Sequence, residues 1–159
     1  MTLAVRRIAS RDELRWRELF DAYMRFYERE PCEAITSRAW AHILDVTSPV
    51  EAVVAVDEQD NVLGIANYIV HESTSALNPV CYLQDLFVDS ASRGTGAGRL
   101  LIDWLVKEMN FQGWSRIYWH TKENNYRARG LYDKFTPHSG FVRYVITNPS
   151  ALEGKRADE

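Results

Sequence analysis

Cysteine is scarce in this chain, with only Cys32 and Cys81 among 159 residues. Two thiols build no disulfide framework, and their spacing matches no zinc pattern, so free thiols in a reducing compartment are expected. No stretch approaches the ~20 consecutive apolar residues that cross a bilayer, which excludes a transmembrane helix. Residues 1–10 hold two arginines but no apolar run of signal-peptide length. A cytoplasmic protein with no membrane partner is expected. Basic excess is missing too: the net charge is −3 and the pI about 5.8, so no nucleic-acid partner is expected. His71 and His120 lie far apart with no ligand spacing, and no metal site is predicted. Internal repeats and low-complexity segments are absent.

What is present is an ordinary globular balance, 46% hydrophobic and 26% charged, sized for one domain. Residues 1–150 are read as that domain, and 151–159 as a polar tail. Leu3–Ile8 reads as a strand. Ser10 and Glu13 have capping-box spacing, and a helix follows with Leu14, Trp16, Leu19, Phe20, Tyr23, Met24, Phe26 and Tyr27 on one broad face. Pro31 ends it. Thr36 is placed to cap a second helix bearing Trp40, Ile43 and Leu44. Ala52–Val56 and Val62–Val70 are strand-like runs joined by a polar turn, and Val80–Val88 is a third. A glycine loop leads into a helix through Leu100, Leu101, Trp104, Leu105 and Met109, stopped before Gly113. Ile117–Thr121 reads as a strand, Asn124 or Asn125 opens a helix through Phe135, and Phe141–Ile146 reads as a last strand. The order β-α-α-β-β-β-α-β-α-β predicts an α/β fold, a mixed sheet with helices on both faces.

Arg93-Gly94-Thr95-Gly96-Ala97-Gly98 lies between a strand and a helix. The first amides of a helix lack internal partners and its dipole favours anions, while glycines admit a diphosphate close to the backbone. Arg93 and Arg99 flank the loop and add charge. No Lys-Ser or Lys-Thr follows the glycines, so the Walker pattern fails, and the Gly-x-Gly-x-x-Gly spacing of dinucleotide sites fails at Arg99 or Leu101. The spacing present is Arg-x-x-Gly-x-Gly. On its own it is read either as an anion cradle or as a tight turn.

This loop, the apolar strand before it and the helix after it, followed by Asn125, Ala128, Leu131 and Tyr132 in an Asn-x-x-Ala-x-x-Leu-Tyr pattern, resemble the GCN5-related N-acetyltransferase (GNAT) superfamily over nearly the whole chain. The stretches 66–69, 81–88 and 118–121 are similar to the subgroup of yeast histone and polyamine acetyltransferases and their bacterial relatives. The resemblance implies a mostly antiparallel mixed sheet and direct transfer of an acetyl group from acetyl-CoA to an amine, without a metal. It implies that backbone groups of Leu86, Phe87 and Val88 bind the pantetheine arm and polarise the thioester. Amides of Gly94, Thr95, Gly96, Ala97, Gly98 and Arg99 would then hold the pyrophosphate, with Asn125 as a further cofactor contact. Tyr132 is placed as the general acid, since a phenol stays protonated at neutral pH yet can protonate a thiolate. Packing on an amphipathic helix is its other reading, and a helix N-cap that of Asn125.

Asp85 is the candidate general base, and equally a structural hydrogen-bond acceptor within an apolar strand. Relatives carry Glu where Gln84 stands, and an amide is no base. Cys81 reads as packing before it reads as an acyl carrier. Tyr23, Tyr27, Trp40 and His120 are candidate walls of the acceptor site, with core packing as the alternative. Glu28, Glu30 and Glu33 read either as a solvated run or as a field attracting a cationic amine. The expected acceptor is a small amine or amino acid, with a protein lysine second and a non-catalytic acyl-CoA-binding module as the rival from another class. A homodimer through the edge of the last strand completes the expectations.

Overall fold

The structure, a computed structural model, describes residues 2–151. They divide into two compact units, 2–119 and 120–151, each described by itself. The first unit carries β1 (Ala4–Arg7), α1 (Glu13–Phe26), α2 (Glu33–Leu44), β2 (Val50–Val56), β3 (Val62–His71), β4 (Val80–Val88), α3 (Ala97–Gln112) and β5 (Ile117–Tyr118); the second carries α4 (Tyr126–Tyr132). The sheet order is β1-β2-β3-β4-β5. The first four strands pair antiparallel, and β5 joins β4 in parallel.

The strands sit where the apolar runs are. β2 is buried along Ala52–Val56 because both sheet faces are covered, so its sequence is continuously apolar rather than alternating. On one face, Trp16 and Leu19 of α1 and Trp40 of α2 pack on Val54 and Ile65. Trp16 stacks on Phe20 at 4.7 Å and meets Trp40 at 5.3 Å. On the other face Tyr68 meets Trp104 of α3 at 6.5 Å. A Cβ on Gly64 would come within 3.2 Å of the Phe87 carbonyl and 3.4 Å of Leu101, so glycine here lets α3 lie close to the sheet.

Several expected boundaries move. The α1 start is not capped by Ser10 and Glu13. A short 3-10 turn, Ser10–Asp12, precedes the helix, and Asp12 accepts the Ala9 amide at 2.8 Å while Arg6 holds both its carboxylate oxygens. Leu14 is 80% exposed and Phe26 half-exposed, so the buried stripe is narrower than the apolar spacing suggests. The helix stops at Phe26, before Pro31, and Glu28 turns the chain with a left-handed φ of 58° while Arg29 N–H bonds the Met24 carbonyl. Thr36 is no cap. α2 begins at Glu33, and Thr36 lies buried in its first turn with its amide bonded to Cys32.

β5 is two residues long instead of reaching Thr121. In the second unit, α4 ends at Tyr132, short of Phe135. Phe141–Ile146 is not a strand. No strand pairing involves it among the described residues, and Phe141, Tyr144 and Ile146 are almost wholly exposed. A branched apolar run becomes a strand only where a neighbouring edge takes up its amides and carbonyls. The expected polar tail, apart from Ala151, lies outside the described residues.

Candidate active site

β4 is the strand on which the site is built. Its pairing with β5 covers only Cys81–Ile117 and Tyr82–Tyr118, while β4 itself runs on to Val88. Leu86, Phe87 and Val88 therefore lie beyond the end of β5, where an extended ligand arm has backbone groups to pair with, as β-strand addition requires. On its other side β4 pairs with β3 along its length apart from one bulge, and Asp85–Val88 are all in register with it.

The chain then passes Asp89, whose carboxylate is held by Arg15 at 2.6 Å, and enters the glycine loop. Gly94 and Gly96 take φ of 81° and 89°, a region that side-chain-bearing residues rarely occupy, and an added Cβ on either would meet nothing within 4 Å. Glycine is required here by the backbone turn, and the space above it is open. Gly96 is the N-cap of the sixteen-residue α3, so the leading amides of that helix face outward around Ala97, Gly98 and Arg99. Thr95 Oγ1 donates to the Ser92 carbonyl at 2.6 Å and shapes the turn. An open, amide-rich loop at a helix N-terminus has the chemistry a pyrophosphate needs. Arg93 is docked over the Phe26 and Phe87 rings at 5.5 and 5.8 Å, so it anchors the loop to the end of α1.

Asp85 gains its place from a bulge. Asn67 pairs with Asp85 but Tyr68 pairs with Leu83, leaving Gln84 as the extra residue, exposed to solvent. Leu83 and Asp85 are two apart and would ordinarily share a face. The extra residue puts them on opposite faces, Leu83 beside Tyr68 on the α3 side and Asp85 beside Asn67 on the α1 side. There Asn67 Nδ2 donates to Asp85 Oδ2 at 3.1 Å, and Trp16 Nε1 donates to Asn67 Oδ1 at 3.0 Å. The Tyr23 hydroxyl, which donates to the Gln84 carbonyl at 3.5 Å, and the Arg29 charge both favour the ionised form of the Asp85 carboxyl. Desolvation outweighs these, and the Asp85 carboxyl is pushed up to about 6. Part of its side chain still reaches solvent. Such a group is an acceptor of protons close to neutral pH.

Tyr23 and Tyr27 join this neighbourhood: their rings meet at 4.9 Å, and Tyr23 lies edge-on to Phe87 at 6.0 Å. Trp40 does not line it. It is 5% exposed in the core against Trp16, which is a packing role. Cys81 is wholly buried, and burial pushes its thiol up to about 12, leaving no thiolate for acyl transfer. His71 donates from Nδ1 to the Glu72 carbonyl, so its Nε2 accepts the Tyr118 hydroxyl at 2.7 Å. No group of His, Cys, Asp and Glu fit to hold a metal occurs among the described residues.

In the second unit Asn125 caps α4, its Oδ1 accepting the Ala128 amide at 3.4 Å. Tyr132 is half-buried at the helix end and His120 is exposed. The Thr121 hydroxyl is buried with no hydrogen-bond partner, the state of a group that a ligand or water satisfies. Asn67 lies in a stretch that carries the family resemblance but receives no site role from sequence. Its signal is an amide in the middle of an apolar run, Val62 to Val70, matched by a carboxylate inside the next one.

β4 thus outruns its neighbour and ends in a glycine loop at a helix N-terminus, where an extended arm and an anion could be held close together. The sequence pattern of the acetyltransferase (GNAT) family matches residues 14–136. The chain belongs to that family and is an acetyltransferase. It is 29% identical over 143 residues to the D-amino-acid N-acetyltransferase HPA3 of Saccharomyces cerevisiae, covering 89% of each chain. Its fold is similar to the ribosomal-protein-alanine N-acetyltransferase of Brucella melitensis, with TM-score 0.77, 19% identity, and 92% and 100% of the two chains covered. It is also similar to AAC(6')-Iy, solved with a CoA bisubstrate analogue, with TM-score 0.79, 15% identity, and 93% and 99% covered.

Proposed function

We propose that this chain transfers the acetyl group of acetyl-CoA directly to the primary amine of a small molecule, an amino acid or polyamine, within one N-acetyltransferase domain over residues 1–150. The observation that carries this reading is the bulge at Gln84, which sets Asp85 on the α1 face within the part of β4 that outruns β5, directly before Leu86. Backbone groups of Leu86–Val88 take the pantetheine arm and polarise the thioester carbonyl. Amides of Gly94–Arg99 take the pyrophosphate, and Asn125 and Tyr132 act as cofactor contact and general acid by their motif positions. The amine nitrogen attacks the carbonyl carbon and the carbon–sulfur bond breaks. Asp85 takes the proton the nitrogen loses, directly or through a water, and Tyr132 gives one to the departing sulfur.

An amino acid is favoured as acceptor on two grounds. HPA3 acts, by its name, on D-amino acids. Arg29 and Asp85 set opposite charges at the end of α1, the pattern a zwitterion matches. Tyr23 and Tyr27 wall this region, and His120 is a further candidate at the acceptor. The free thiols Cys32 and Cys81 support a cytoplasmic location. The exposed apolar run Phe141–Ile146 supports a homodimer.

The test is release of free CoA thiol from acetyl-CoA across D- and L-amino acids, polyamines and a lysine peptide. Turnover with amino acids is expected to exceed the rest. Turnover with the lysine peptide alone would overturn the small-molecule reading, and turnover with none alongside tight acetyl-CoA binding would make the chain a binding module.

A further inference from the structure

The groups behind Asp85 form a line that runs into the core. Trp16, wholly buried, donates from Nε1 to Asn67 Oδ1 at 3.0 Å, and Asn67, 5% exposed, donates from Nδ2 to Asp85 Oδ2 at 3.1 Å. The indole N–H is a donor only. It therefore dictates which end of the Asn67 amide faces it. The carbonyl must turn to Trp16, and the NH₂ must turn to Asp85. A flipped amide would set its NH₂ against the indole N–H and its carbonyl against a carboxylate, losing both bonds and leaving buried polar groups without partners.

We infer that Asn67, locked by Trp16, is a positioning residue that holds Asp85 with one carboxylate oxygen always accepting, so that the proton removed from the acceptor amine arrives on the other. This inference rests on Asp85 being the base. With Oδ2 engaged by a donor that cannot turn around, Oδ1 is the oxygen that carries the proton, and the carboxyl plane is held by its neighbour across the sheet rather than by solvent. The Tyr23 hydroxyl on α1 favours the ionised form of the same carboxyl. The groups facing Asp85 are thus Asn67 from β3, Tyr23 from α1 and the Arg29 charge beyond the end of α1. All three favour the ionised form, and Asn67 is the one fixed in direction by a second buried bond. The lock depends on the bulge: were Gln84 taken into the regular ladder instead of left over, Asp85 would share the face of Leu83 and could not meet Asn67.

Asn67→Leu keeps the side-chain size and removes the donor. The carboxylate loses a charge-assisted hydrogen bond, so the acid limb of kcat/KM moves to higher pH by roughly one unit, with the rate recovering as pH rises. Trp16→Phe retains Asn67 but frees its amide to turn, and moves the limb in the same direction by less. Both are read with acetyl-CoA and D-alanine by thiol release, and in parallel by NMR titration of the 13C-labelled Asp85 carboxyl, which needs no turnover and reports on Trp16→Phe even if Asn67→Leu folds poorly. Asp85→Asn is the control for the underlying reading and is expected to abolish the limb. If Asp85→Asn abolishes it but both other variants leave the limb and the carboxyl titration in place, the Asn67 inference is overturned and the base stands. If Asp85→Asn leaves the limb intact, the base reading fails and takes the inference with it.

Discussion

Replacing Asp85 by Asn should make the protein more stable at neutral pH while lowering its activity. The Asp85 carboxyl titrates at about 6 in the folded chain against an ordinary 3.8. The folded state therefore binds this proton more tightly than the unfolded one, and stability falls as pH rises from below 3.8 through 6. At pH 7.5 the charged carboxylate costs the fold about 3 kcal/mol, an upper value because part of the side chain reaches water. Asn is isosteric and neutral, and its carbonyl can still accept from Asn67 Nδ2, so the variant avoids that cost and keeps the bond. At roughly 2–4 °C per kcal/mol for a chain this long, Tm should rise by several degrees. The gain should shrink to about a third at pH 4.5, where the native carboxyl is already largely protonated. Thermal unfolding followed by circular dichroism at both pH values checks this. No gain at pH 7.5, or an equal gain at both, would refute the account of Asp85 as a carboxyl held against desolvation.

Three further expectations concern other parts of the chain. Gly96→Glu forces a left-handed φ of 89° on a side-chain-bearing residue and adds a like charge where the pyrophosphate would sit, so calorimetry should show acetyl-CoA binding lost, and unchanged affinity would remove the cradle from Gly94–Arg99. Tyr132→Phe should lower kcat by ten-fold or more with cofactor affinity nearly unchanged, as loss of a general acid does; full activity would exclude that role. Asp12→Ala breaks a two-pronged pairing with Arg6 at 2.8 and 2.9 Å and frees the Ala9 amide, and should cost about 2–3 kcal/mol in denaturant unfolding. Arg6 holds the Asp12 carboxyl below its usual range, so this contribution is present at neutral pH and is lost on acidification through the lowered value.

Local features were legible from residue order because their physics is local. The glycine loop reads correctly since left-handed φ at Gly94 and Gly96 and free amides at the start of α3 are properties of a few consecutive residues. β4 and the stop of α3 before Gly113 follow from apolar run length and a left-handed cap in the same way. Asn125 as an N-cap needed only its own turn. Phe141–Ile146 shows the limit: its composition favours a strand, but a strand exists only with a partner, and among the described residues none pairs with it.

The site around Asp85 lay beyond the sequence for a related reason. Alternation along β4 puts Leu83 and Asp85 on one face, and only the register against β3, with Gln84 left over, parts them. Trp16 and Asn67 stand 51 residues apart and Asn67 and Asp85 stand 18 apart, so no short motif links them. Residue order alone determined the family, the conformation of the glycine loop and the candidate base. Tertiary structure decided which way that base points, what holds it there and how readily it keeps a proton, because desolvation and cross-strand hydrogen bonds exist only once the sheet has formed.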